Sequence, residues 1–373
     1  MALSKPFSAV KSLLRPLLKT TPTLTKAHCS QRQMSSVKIE DFKSVLTDLI
    51  QDLTFKGDHI DMPEVNKHLS KCIEYNLTDG KLNRGMMVPL SLTLLVKNED
   101  FNDQLQKEAF VLGWCIEFLQ AFFLVADDMM DLSTTRRGKP CWYLEDNRGH
   151  LAINDAILLE TSIYTLLDKY FRGKDYYLHL LDTFLYITRH TAMGQQLDIM
   201  SEKCTLEEFS MKRHSQIVIF KTSYYSFYLP VQCAMILAGI EDPEVFRQAR
   251  DILLRMGHLF QVQDDFLDCY GDPQKTGKIG TDIQDGKCSW LIVSALQHAN
   301  SKQKEILASN YGLKDLEAVE KVKAVYQELE IAQMYHSFEE DSYSDLQDKI
   351  SKIEALNPQV FHNFLTRIYK REQ

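Results

Sequence analysis

Two stretches of this 373-residue chain, about residues 103–131 and 243–270, carry apolar residues at helical spacing for far longer than a β-strand runs. Each breaks near its C-terminal end on the same pattern, Asp-Asp-x-x-Asp: Asp127, Asp128 and Asp131 in the first, Asp264, Asp265 and Asp268 in the second. Any fold must therefore accommodate two long helices that each end in three carboxylates. Other long apolar segments also keep helical spacing and few alternate, while 15 Gly and 10 Pro are both below the usual share. No fixed-period repeat is visible, and no low-complexity tract follows residue 40. The sequence reads as one all-α domain over 40–373, a single large helical bundle around a central cavity.

Punctuation supports this division. Thr205 with Glu208 has the form of a capping box, and Asp242-Pro243 that of an N-cap followed by proline at the first helical position. The second long segment stops at Gly271-Asp272-Pro273. Two connections stand out: Ser133–Pro140, rich in basic residues, and Asp272–Asp285, with Gly277 and Gly280. No linker separates the halves, so both long helices are expected to wall one cavity.

The formal charge of −8 is unevenly spread. Residues 1–39 hold seven Lys and Arg and no acid; with those set aside, residues 40–373 carry −15. So acidic a body repels a phosphate backbone, which argues against nucleic acid as a partner. The first 39 residues combine Arg, Lys, Ser and Thr with Leu13, Leu14, Leu17 and Leu18, the makeup of a mitochondrial transit peptide; without such an address the chain is expected in the cytoplasm. No run of about 18 unbroken apolar residues follows, so no transmembrane helix is expected. The eight cysteines, at 29, 72, 115, 141, 204, 233, 269 and 288, form no C-x-x-C pair and read as free thiols of a reducing compartment.

The aspartate motifs carry the chemistry. On a helix, positions i, i+1 and i+4 fall within an arc of about 100°, so each motif is expected to aim three carboxylates one way. Here they interrupt Ala121–Ala126 and Phe260–Gln263, runs that read as helix interior. Uncompensated carboxylates there are costly, so a cation is implied. One such motif is compatible with a solvated acidic face; two, each closing a long apolar helix, are much less so. All-oxygen ligands suit Mg²⁺, which is held by a few carboxylates together with substrate phosphates. The anion's other partners are at hand in Lys81 and Arg84, Arg136 and Arg137, Lys221, Lys278 and Lys287.

In this order, the motifs resemble the farnesyl diphosphate synthase family of trans-prenyltransferases. Phe118–Asp128, Gly194-Gln195, Tyr224–Pro230, Cys288-Ser289-Trp290 and Glu339–Tyr343 are also similar, over roughly residues 40–371. The resemblance implies a bundle of the isoprenoid synthase type, a homodimer, and three Mg²⁺ held by both motifs on an allylic diphosphate, dimethylallyl or geranyl. It further implies that Arg136, Lys221, Lys278, Thr222, Gln261, Gln195 and Asp198 surround that diphosphate. Gly80, Lys81, Arg84, Gln120 and Arg137 would hold isopentenyl diphosphate. Condensation to geranyl and then farnesyl diphosphate needs no nucleophilic side chain. Phe122 and Phe123, one turn before Asp127, are candidates for the floor that limits chain length.

Three departures from the family pattern bear on affinity rather than reaction class: Asp79 before Gly80, Ala192-Met193 before Gly194, and the end Lys370-Arg371-Glu372-Gln373. Two alternatives remain at this point, a terpene synthase-like lyase and a non-catalytic isoprenoid-binding subunit. The first has no use for Lys81, Arg84 and Arg137, and the second would tolerate lost aspartates.

Overall fold

The computed structural model describes residues 37–55, 61–272 and 280–369, all within a compact unit spanning Arg32–Gln373. Helix follows helix: α1 (Ile39–Thr54), α2 (Pro63–Leu77), α3 (Asn83–Leu95), α4 (Asp103–Met130), α5 (Leu151–Phe171), α6 (Tyr177–Ser201), α7 (Met211–Val218), α8 (Leu229–Leu237) and α9 (Pro243–Tyr270). Five further helices complete the C-terminal part, α10 (Trp290–His298), α11 (Ser301–Asn310), α12 (Leu316–Glu328), α13 (Ile331–Ser351) and α14 (Gln359–Ile368). The all-α expectation holds. The only strands among the described residues are the two-residue β1 (Thr135–Arg136) and β2 (Lys139–Pro140).

The two long helices begin and end where local signals place them. Asn102 caps α4 by accepting the Leu105 N–H at 3.0 Å, and Asp242 caps α9 through the Glu244 N–H at 2.9 Å, ahead of Pro243 at the first position. The capping box of Thr205 and Glu208 is also present, on a short 3₁₀ turn. Helix α4 is buried on every side from Glu108 to Ala121, as a helix apolar all round must be. By length and composition it is apolar enough to cross a membrane, yet 72% of that window is buried inside the protein, so its apolar surface packs the core. Phe42 of α1 stacks on Trp114 with centroids 4.7 Å apart, and the Trp114 indole donates to the Phe42 carbonyl at 2.8 Å. A second apolar cluster around Trp290, Val322, Tyr326 and Tyr335 joins the C-terminal helices to the end of α9 at Val262 and Phe266. The seven described cysteines are free thiols, most of them buried; Cys29 lies outside the described residues.

Between α7 and α8 the chain stays helical but widens into a π-helix, Ile219–Tyr228. Such widening is rare and is frequent at functional sites. This segment packs between α6 and α9, while α4 packs against α3, α5 and α8. It therefore lies where elements from both halves of the chain can reach it.

Candidate active site

Two adjacent side chains of the π-helix connect the two aspartate motifs. Lys221 Nζ lies 2.7 Å from Asp198 on α6 and 3.4 Å from Asp127 at the end of α4. Thr222 Oγ1 donates to Gln261 Oε1 on α9 at 3.3 Å, and Gln261 Nε2 donates to Asp265 Oδ1 at 3.3 Å. Consecutive residues thus reach opposite motifs, Lys221 directly and Thr222 through Gln261. Gln195, one turn before Asp198 on α6, donates to Asp127 at 2.8 Å. The approach of α6 to the π-helix depends on Gly194, whose missing side chain leaves room for the backbone at Phe220 and Lys221.

The motifs do not aim three carboxylates one way. Asp127 and Asp131, four residues apart, are partly open, as are Asp264 and Asp268; Asp128 and Asp265 are buried. The middle aspartate sits 100° around the helix from the first, whereas the last is only 40° away. That difference turns Asp128 to Arg136, whose Nε and Nη2 both donate to Asp128 Oδ1, at 3.0 and 2.6 Å. It turns Asp265 to His214 Nε2 at 2.9 Å and to the Trp290 N–H at 2.7 Å. Four of the six carboxylates, those of Asp127, Asp131, Asp264 and Asp268, are thus open enough to meet a metal, while Asp128 and Asp265 are buried against protein partners. Asp268 Oδ2 also accepts the Asp282 N–H at 2.9 Å.

Among the described residues, no three acidic, His or Cys side chains gather into a ready-made cation cage. The donor set nevertheless fits Mg²⁺, since it is all carboxylate oxygen from two separate helices, and Mg²⁺ keeps several waters and takes substrate oxygens rather than a complete protein cage. The field at the first motif agrees: burial and the neighbouring Asp127 push the Asp131 carboxyl up to about 6, against the pull of Lys287 and Lys221. A site that strains to hold its own negative charge is one that a divalent cation relieves.

Lys287 was noted in the sequence only as one of several basic residues. Its ammonium lies 2.6 Å from Glu202, 3.4 Å from Asp198 and 3.5 Å from Asp131. For Lys221 and Lys287 alike, burial opposes the charged form, but Asp198 first among their acidic neighbours outweighs it and raises both pKa values. Asp198 is reciprocally held below the ordinary carboxylate range, although burial works the other way. Both cations therefore stay charged beside the first motif. Lys278 lies outside the described residues, as do the tail 370–373 and residues 1–36 of the basic N-terminal segment.

The arginine pair is divided by a hairpin. Strands β1 and β2 pair Arg136 with Lys139, and the two residues between, Arg137 and Gly138, both have positive φ, 54° and 75°. This is the signature of a primed turn, which matches the twist of the flanking strands. Arg136 consequently reaches back to Asp127 and Asp128, while Arg137 at the tip reaches the Asn76 carbonyl at 3.0 Å. The Arg137 guanidinium covers Gly80, where a Cβ would come within 3.1 Å of it. Asp79 is paired with Lys139 of β2, so the extra negative charge next to Gly80 is locally neutralised.

Lys81 and Arg84 do not share a helical face. Leu82 adopts a left-handed conformation and α3 begins only at Asn83, leaving Lys81 outside the helix and exposed. Arg84, in the first turn, donates from Nε to Ser226 Oγ of the π-helix at 2.8 Å and lies 5.2 Å from the Tyr225 ring centroid. Gln120 is buried on α4 beside Arg84. Phe122 and Phe123 are half-buried with centroids 4.6 Å apart, and Phe123 faces Tyr225 at 6.4 Å. Ala192 and Met193 are exposed on α6.

The cations thus fall into two groups: Arg136, Lys221 and Lys287 at the carboxylates of the first motif, and Arg84 at the start of α3 with Arg137 at the tip of the hairpin. Similarity to known proteins is consistent with that layout. A family model described as polyprenyl synthetase matches residues 66–329. The farnesyl pyrophosphate synthase of Kluyveromyces lactis is 48% identical over 342 residues, covering 89% of this chain and 98% of the relative. The human protein of that name is 46% identical, over 90% of this chain and 81% of its own. Among solved structures, T. brucei farnesyl diphosphate synthase complexed with a bisphosphonate aligns with a TM-score of 0.83 at 32% identity, covering 90% of this chain and 99% of that one. With a matching family model over most of its length and relatives aligned nearly end to end, the chain belongs to the polyprenyl synthetase family.

Proposed function

We propose that this protein is a magnesium-dependent prenyltransferase that joins dimethylallyl or geranyl diphosphate to isopentenyl diphosphate, giving geranyl and then farnesyl diphosphate. The observation that carries the reading is the division of cations just described: one set beside the first aspartate motif, a second set where no carboxylate motif stands. An enzyme that ionises a single diphosphate needs only the first.

Asp127, Asp131, Asp264 and Asp268 would hold the magnesium, three ions in all, and Asp128 and Asp265 would keep Arg136 and α9 in place. Magnesium bound with the allylic diphosphate supplies electrostatic stabilisation of the leaving group as the C–O bond ionises. Arg136, Lys221 and Lys287 add fixed positive charge at the same anion, which costs no reorganisation during the reaction. Thr222, Gln195 and Gln261 orient these groups, and Lys278 is assigned to the same diphosphate. Gly80, Lys81, Arg84 and Arg137 receive isopentenyl diphosphate, with Gln120 supporting Arg84. The allylic cation is attacked by the double bond of isopentenyl diphosphate, and the departing diphosphate takes the last proton. Phe122, Phe123 and Tyr225 line the apolar side, shielding the cation from water and limiting the tail.

A homodimer is part of this proposal. Leu178, Leu185, Met193 and Met200, at steps of seven and eight, form one exposed stripe on α6, and Leu151, Ile153 and Ile157 are exposed on the neighbouring α5. A second copy of the chain is the occupant assigned to this face. Residues 1–39 are assigned as a mitochondrial address on their acid-free basic composition.

The deciding experiment incubates the protein with dimethylallyl and isopentenyl diphosphates and Mg²⁺ and identifies the products. Geranyl and farnesyl diphosphates with released diphosphate are expected; hydrocarbons or alcohols from one substrate alone would refute the reading. Asp127→Ala and Asp264→Ala should each reduce turnover by several orders of magnitude with the fold intact, because each removes a cavity carboxylate and relieves like-charge repulsion.

A further inference from the structure

Beneath the Arg84 side of the site lies a buried carboxylate that the mechanism above does not use. Glu117 of α4 is 5% exposed. Its Oε1 accepts the Gly85 N–H at 2.8 Å. Gly85 belongs to the first turn of α3, whose N-cap Leu82 has no side chain to offer the free N–H groups. Glu117 therefore caps α3 from a neighbouring helix, where the positive end of the helix dipole favours an anion. The approach depends on a crossing of two glycines: a Cβ on Gly85 would lie 2.8 Å from the Gly113 carbonyl oxygen and 3.0 Å from Glu117 Cγ.

The second carboxylate oxygen leads toward the substrate side. With the Gln120 amide oriented to satisfy both neighbours, its nitrogen donates to Glu117 Oε2 at 3.2 Å and its oxygen accepts from Arg84 Nη1 at 2.9 Å. Arg84 is thus held from three directions, by Gln120 at Nη1, by Ser226 at Nε, and by the Tyr225 ring beneath the guanidinium. Only the Gln120 contact depends on which end of an amide faces the arginine. Glu117 fixes that choice, because a carboxylate accepts and cannot donate. Burial pushes the Glu117 carboxyl up, and the Gly85 N–H, Arg84 and Arg137 pull it back.

We propose that Glu117 is a positioning residue for isopentenyl diphosphate: through Gln120 it sets the direction of the Arg84 guanidinium, while its other oxygen fixes the turn of α3 that carries Arg84. The proposal rests on the reading that Arg84 binds isopentenyl diphosphate. Loss of the α3 cap would lower Tm, whereas loss of the Gln120 link alone leaves Tm unchanged and weakens isopentenyl diphosphate selectively.

Glu117→Gln tests it. The new amide can still accept the Gly85 N–H, but its NH₂ meets the Gln120 NH₂, so Gln120 turns and presents a donor to Arg84. The expected result is a rise of about 10- to 100-fold in KM for isopentenyl diphosphate and in its calorimetric Kd, the loss of one charge-assisted hydrogen bond. KM for geranyl diphosphate and kcat should stay within about threefold. In the Arg84→Ala background, Glu117→Gln should add nothing, since the two act through one contact. Equal changes in both KM values, an isopentenyl KM within threefold of wild type, or additive effects would each overturn the proposal. If Glu117→Gln does not fold, Gln120→Met cuts the link and leaves the cap: a selective rise that vanishes in the Arg84→Ala background supports the proposal, and an unselective rise, or one that persists without Arg84, overturns it. Failure of wild type to bind isopentenyl diphosphate would sink the reading of the site itself, whereas an unchanged Kd in the variant would sink the Glu117 link alone.

Discussion

Replacing Gly194 by alanine puts one methyl group where α6 crosses the π-helix. The added Cβ would lie 2.5 Å from the Phe220 carbonyl carbon and 2.6 Å from Lys221 Cα, and closer still to Lys221 N. Real Cβ atoms essentially never come within 3.0 Å of such neighbours, and these are backbone atoms that cannot rotate aside. The two helices must therefore part by about 0.5–1 Å, an overpacking that costs about 1–3 kcal/mol. At about 2.1 cal/mol/K per residue, a chain of this length loses roughly 1.3 °C per kcal/mol, so Tm should fall by about 1–4 °C. Turnover should suffer more. The same shift displaces Gln195 and Lys221, now 2.8 and 3.4 Å from Asp127, and a misplacement near 1 Å can cost about 100-fold in rate. Calorimetry and the steady-state rate on geranyl and isopentenyl diphosphates measure the two effects. Gly173→Ala is the control, since nothing lies within 4 Å of a Cβ there. If Gly194→Ala keeps both wild-type Tm and wild-type kcat, the close crossing does not place Lys221 and the reasoning is refuted.

The remaining expectations concern product length, assembly and address. Phe122→Ala or Phe123→Ala should lengthen the product to C20 or beyond while the first condensation survives; C15 at normal ratios from both variants would show that the rings only pack. Leu185→Asp places a charge in the exposed stripe of α6, and sedimentation should show a dimer for wild type and a monomer for the variant. Equal sedimentation of the two proteins would remove that face from the interface. A reporter fused to residues 1–39 should enter mitochondria, and a purely cytosolic reporter would reject the address.

The sequence by itself determined what is local. Helical apolar spacing places α4 at Asp103–Met130 and α9 at Pro243–Tyr270, since period and capping are properties of neighbouring residues. The acidic motifs were legible for the same reason, a costly charge set inside an apolar run. Tertiary structure decided which way each charge points. Asp128 and Asp265 share the motif with Asp127 and Asp264, but 100° of helix rotation commits them to Arg136 and to His214 with Trp290. Arg136 and Arg137 read as one basic pair until the hairpin turned them to different partners. Lys287 is legible only as one of a basic group and Glu117 not at all, because a single Lys or Glu is ordinary surface in most chains. Their roles come from partners 85 and 32 residues away in sequence, Glu202 and Gly85. Packing alone brings such groups together, and once water is excluded the pairing of each charge becomes obligatory.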